Sequence, residues 1–98
     1  MTTEMRILLV EDDPKIAGAV KAVLDAQGYL VEIERDGEEA WFLGDTEDYA
    51  AVILDLGLPT MDGLSVLKRW RAGGRTMPVL VLTARGSWTD RVEGIDAG

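Results

Sequence analysis

Val52-Ile53-Leu54-Asp55-Leu56-Gly57-Leu58-Pro59-Thr60-Met61-Asp62-Gly63 is the stretch on which the reading of this chain turns. With Ala51 it opens as a continuous apolar run, four residues long. A run that short and that uniform reads as a strand buried on both faces rather than one with a wet side. It breaks off at a carboxylate, Asp55. A loop holding Pro59 and Gly63 follows, and Leu64 to Ala72 then has the spacing of a helix, with Leu64, Leu67 and Trp70 turned inward. Gly73-Gly74 stops that helix.

The same unit recurs on either side. Upstream, Ile7 to Val10 is an apolar run that ends in Glu11-Asp12-Asp13. Pro14 suits the first turn of a helix, with Asp13 as its cap. Ile16, Val20, Val23 and Leu24 recur at helical spacing until Gly28 closes the element. Tyr29 to Ile33 reads as a second strand. Asp36-Gly37 turns into a short helix, roughly Glu38 to Leu43, and Gly44 to Asp48 reads as loop. Downstream, Val79 to Leu82 is a fourth buried strand ending in Thr83, and a last helix is expected to start near Thr89 or Asp90 and run into Ala97. Strand and helix alternate four times, the pattern of a parallel sheet with helices on both faces.

Composition narrows the chemistry. The chain of 98 residues is one domain's worth, and 47% hydrophobic content supports a packed core. Eighteen acidic against ten basic residues leave a formal charge of -8, which repels nucleic-acid phosphates. The absence of Cys and His removes disulfides, thiolate catalysis, Cys/His zinc sites and histidine bases. The first residues carry no signal-peptide pattern, and no apolar run is long enough to cross a bilayer. A soluble cytoplasmic protein, with no membrane partner, is the expectation.

Ligands of open α/β sheets sit beyond the carboxyl ends of the strands, and there the polar residues fall. Glu11, Asp12 and Asp13 follow the first strand, Asp55 the third and Thr83 the fourth. If the first and third strands are neighbours, their carboxylates converge in one shallow cleft. Such a cluster is costly without a cation, and hard oxygen ligands suit Mg²⁺. A carboxylate beside Mg²⁺ can act as a nucleophile toward phosphorus and form an acyl phosphate, and the Thr83 hydroxyl can donate to a phosphoryl oxygen. Each residue also has an ordinary reading: Asp13 as a helix cap, Asp12 as a turn residue, Asp55 as the start of a loop, Thr83 bonded to backbone, the tryptophans as packing. What those separate readings do not predict is the joint placement at three strand ends.

Three segments, Ile7 to Asp13, Val52 to Gly63 and Pro78 to Arg85, give the chain a resemblance to the receiver domain of two-component response regulators, nearest those with a winged-helix DNA-binding output domain. The resemblance covers about Met5 to Gly98. It implies a flavodoxin-like doubly wound fold and an Mg²⁺-dependent phosphoacceptor that is not an enzyme in the ordinary sense, though it assists its own phosphorylation and dephosphorylation. Asp55 resembles the phosphorylated aspartate. Asp12 resembles the direct Mg²⁺ ligand, with Glu11 assisting through water and the Gly57 carbonyl as a backbone ligand. Thr83 resembles the switch hydroxyl, Ala84 the small residue beside it, and Pro59 and Gly63 shape the acceptor loop. The implied donor is the phosphohistidine of a sensor histidine kinase.

The family pattern continues into a fifth strand and helix, with a lysine and an aromatic switch residue. No lysine lies beyond Lys68 here. The expectation is therefore a chain truncated to four strand–helix units, residues 1–98 being the N-terminal part of a receiver, with DNA reached only through an output domain not present in it. An exposed fourth-strand edge would then favour a homodimer, by edge pairing or exchange of an element. Rival classes are weaker. A haloacid-dehalogenase-type phosphotransferase needs a second Asp where Gly57 stands, and no phosphate-binding glycine motif of a nucleotide site occurs. The strongest alternative is a receiver-like scaffold that no longer accepts phosphate and serves only as an interaction or dimerisation module.

Overall fold

A computed structural model describes residues 5–58 and 60–82. In order they form β1 (Arg6–Val10), α1 (Pro14–Ala26), β2 (Leu30–Glu34), α2 (Gly37–Thr46), β3 (Ala51–Asp55), α3 (Gly63–Ala72) and β4 (Val79–Leu82). The expected last helix lies outside the described residues. The strands make one sheet in the order β2-β1-β3-β4, and every pair is parallel. The strand–helix alternation predicts the parallel sheet, and the strand order is that of the doubly wound, flavodoxin-like fold implied by the resemblance.

Successive strand side chains point to opposite faces, so a strand covered on both sides must be apolar throughout. In β1, Leu8 and Val10 join Val52, Leu54, Val66, Leu67 and Trp70 in the core beneath α2 and α3. Leu9 belongs to the other face, where it packs with Val31 and with Ala17, Val20 and Leu24 of α1. The uninterrupted run at residues 7–10 is thus the imprint of a central strand.

Each helix begins with an aspartate whose side chain accepts backbone N–H groups of the first turn: Asp13 from Lys15 and Ile16, Asp36 from Glu39, and Asp62 from Ser65. Parallel topology places all three of these helix starts at the carboxyl end of the sheet. The opposite end is tied by Arg6, which donates to Glu32 of β2 (2.6 Å) and to Glu47 (3.4 Å) and lies over the Tyr49 ring at 4.9 Å. The Tyr49 hydroxyl also donates to Glu32, at 2.9 Å.

Three local expectations are corrected. α2 does not stop at Leu43 but runs through Gly44 to Thr46. Gly44 is buried there because the Trp70 indole occupies the space a Cβ would need, so the glycine serves packing and does not end the helix. In α1 the sheet-facing stripe is Ala17, Val20 and Leu24, while Ile16 and Val23 are 38% and 63% exposed. Leu64 is likewise 39% exposed; Val66, Leu67 and Trp70 are the buried face of α3.

Candidate functional site

The site is built by register. Val10 of β1 lies opposite Leu54 of β3, so the next residues, Glu11 and Asp55, come abreast as both strands leave the core. The Glu11 N–H donates to the Glu34 carbonyl at 3.0 Å, which extends the β1–β2 ladder by one bond and holds the turn in place. Asp12 follows, exposed, and Asp13 turns away to cap α1. Glu11, Asp12 and Asp55 each offer a carboxylate oxygen, and these oxygens lie within 4.8 Å of one another. Of the four acids that sequence places at these two strand ends, three converge, and Asp13 is committed to the helix.

Electrostatics make this cluster costly for a charged Glu11. Glu11 is only 5% exposed, and its carboxyl is pushed up to about 7. Burial is the main cause. The negative charges of Asp55 and Asp12 add to it, and the Asp13 N–H donating to Glu11 Oε2 at 3.1 Å opposes it. Among the described residues, the ion pairs are Arg6–Glu32, Arg6–Glu47, Lys21–Asp25 and Arg75–Asp48, so no lysine or arginine neutralises the three acids. All-oxygen donors, one of them almost fully buried, fit a hard divalent cation and no softer metal.

Gly57 stands two residues beyond Asp55, and its N–H donates to Asp55 Oδ1 at 3.4 Å. The loop it belongs to is anchored at both ends. At Gly63 the Asp55 carbonyl oxygen takes the place of a Cβ, and the Gly63 N–H donates to the Leu56 carbonyl at 3.1 Å. At the far side, the Thr60 hydroxyl donates to Asp36 Oδ1 at 2.8 Å and accepts the Glu38 N–H at 3.4 Å. The Met61 carbonyl oxygen fills the Cβ position of Gly37. Sequence reasoning took Asp36-Gly37 for a turn and passed over Thr60, because a contact between residues 24 apart leaves no periodic trace. Thr83 and Ala84, and the placement of Pro59, lie outside the described residues.

Comparison with known proteins agrees with this architecture. Residues 7–98 match the model of the response regulator receiver domain. Protein RcaC of Microchaete diplosiphon is 46% identical over 94 residues, which are 96% of this chain and 14% of that protein. Response regulator MprA of Mycolicibacterium vanbaalenii is 44% identical over 94 residues, which are 96% of this chain and 41% of that protein. The chain therefore spans less than half the length of either relative. Among solved structures, the receiver domain of sensor histidine kinase PA1611 from Pseudomonas aeruginosa, with a magnesium ion coordinated in the active site cleft, superposes with a TM-score of 0.83 at 36% identity, covering 98% of this chain and 80% of that one. Together with the parallel four-stranded sheet and the acids at its carboxyl edge, these matches show that the chain belongs to the response regulator receiver domain family.

Proposed function

We propose that this chain is the phosphoacceptor part of a two-component response regulator, taking a phosphoryl group on Asp55 from the phosphohistidine of a sensor kinase. The observation that carries the reading is the convergence of Glu11, Asp12 and Asp55 with no cationic partner among the described residues. Asp12, Asp55 and the Gly57 carbonyl would hold Mg²⁺, with Glu11 acting through water; when bound, the ion offsets the repulsion between Asp55 and an anionic donor and orients a phosphoryl oxygen. An Asp55 carboxylate oxygen attacks phosphorus, the bond from phosphorus to the donor nitrogen breaks, and the nitrogen leaves with the electron pair. Hydrolysis of the acyl phosphate by water later restores Asp55. Thr83 is the switch hydroxyl of this reading, which would donate to a phosphoryl oxygen.

The greater length of the relatives supports a further part of the proposal: residues 1–98 correspond to the N-terminal, receiving portion of a longer protein whose output is a winged-helix DNA-binding domain. A phosphohistidine donor of this class would meet the chain in the cytoplasm; no helix among the described residues is long and apolar enough to cross a membrane.

The test is intact-mass spectrometry after incubation with a small-molecule phosphodonor, with and without Mg²⁺. A single phosphoryl adduct that requires Mg²⁺ and is lost in Asp55→Asn is the expected result. A folded chain that takes no adduct would be a receiver-type scaffold.

A further inference from the structure

Thr60 sits with φ at 65° in the left-handed region, where a β-branched side chain is strained. Such a conformation persists only where surrounding contacts hold it, and the contacts are specific. The Thr60 hydroxyl is at once a donor, to Asp36 Oδ1, and an acceptor, from the Glu38 N–H. Asp36 uses its other oxygen, Oδ2, to cap α2 through the Glu39 N–H at 3.0 Å. One carboxylate therefore joins the start of α2 to the loop after Asp55. Immediately beside it, the backbone of Met61 is pressed onto Gly37, an approach that any side chain at position 37 would block.

We propose that the Thr60 hydroxyl, latched between Asp36 and the Glu38 amide, positions the loop that carries Gly57 and thereby sets how tightly the acidic cleft holds Mg²⁺. The inference rests on the reading of Asp55 and Gly57 given above. The loop's other anchor is Gly63 against the Asp55 carbonyl, and among the described residues of the loop the Thr60 hydroxyl makes the side-chain hydrogen bonds to α2, beside the Met61–Gly37 backbone contact. Without those two hydrogen bonds the loop is held to α2 by packing alone, and Gly57 keeps a long hydrogen bond of 3.4 Å to Asp55. Support of this kind behind a metal site governs affinity more than it governs folding.

Two variants of the whole chain separate the hydroxyl from the backbone. Thr60→Gly adopts the left-handed conformation without strain but has no hydroxyl, whereas Thr60→Ser keeps the hydroxyl. The probe is Mg²⁺ alone, titrated calorimetrically, alongside amide hydrogen exchange at Gly57 in metal-free protein. The expected outcome for Thr60→Gly is Mg²⁺ affinity lower by about tenfold, with faster exchange at Gly57 and no loss of urea resistance. Thr60→Ser should restore both affinity and protection. Wild-type affinity in Thr60→Gly, or weak affinity in Thr60→Ser equal to that of Thr60→Gly, would overturn the positioning role and leave the phosphoacceptor reading intact. If the wild-type chain itself binds no Mg²⁺, that reading fails and the positioning role fails with it.

Discussion

Glu11 shows how a site draws on the stability of the fold that carries it. Its carboxyl, buried beside Asp55 and Asp12, is pushed up to about 7 from an ordinary 4.5. Between those values the folded chain keeps a proton that the unfolded chain has released, so stability falls as pH rises through the window and the full cost stands above it. Glu11→Gln removes the charge yet leaves an oxygen to accept the Asp13 N–H. The variant should therefore be more stable than wild type by about 1–3 kcal/mol at pH 8, with the gap closing toward pH 5, as measured by urea denaturation at both values. The same variant should bind Mg²⁺ more weakly. The acids of this cleft were legible in the sequence because each terminates an apolar run. Their convergence was conditional on strand order, which an apolar run does not encode, and the commitment of Asp13 to its cap separates one acid from the rest.

Among the elements, two helical glycines make opposite predictions from the same substitution. Gly18 in α1 has nothing within 4 Å of where a Cβ would stand. Gly18→Ala should stabilise the chain by about 0.5–1 kcal/mol, since alanine is the better helix former. Gly44 in α2 faces the Trp70 indole, which itself donates to the Trp41 carbonyl at 2.9 Å and has little room to move. Overpacking there outweighs the gain in propensity, and Gly44→Ala should cost about 1–3 kcal/mol; thermal melts of the pair check both signs. The existence and order of the strands and helices followed from periodicity and caps, and Asp13, Asp36 and Asp62 all stand just before helices. The end of α2 was misread because glycine so often closes a helix that its use as a slot for a tryptophan 26 residues later cannot be told locally. Ile16 and Val23 were misread because alanine at position 17 shares their helix and lies against the sheet in their stead.

At the scale of the whole molecule, the sheet has a chemical end and a structural end. Arg6, Glu32, Glu47 and Tyr49 tie the strands at the end away from the acids. Burial draws the Glu32 carboxyl up, but the hydrogen bonds from Arg6 and Tyr49 outweigh it, and Glu32 is held below the usual carboxylate range. Arg6→Ala should lower stability by about 1 kcal/mol, a modest figure because the pair is partly exposed, and should leave Mg²⁺ affinity unchanged; calorimetric titration of the variant decides the second point. Strand order carries a consequence in time as well as in space. β1 is made first but takes its place between β2 and β3, so it is flanked on both sides only after residue 55 has emerged from the ribosome. Glu11 and Asp12 wait through more than forty residues of synthesis for Asp55. The register that seats β1 against β3 is also the register that brings the three acids together, so completing the centre of the sheet and completing the cleft are one event.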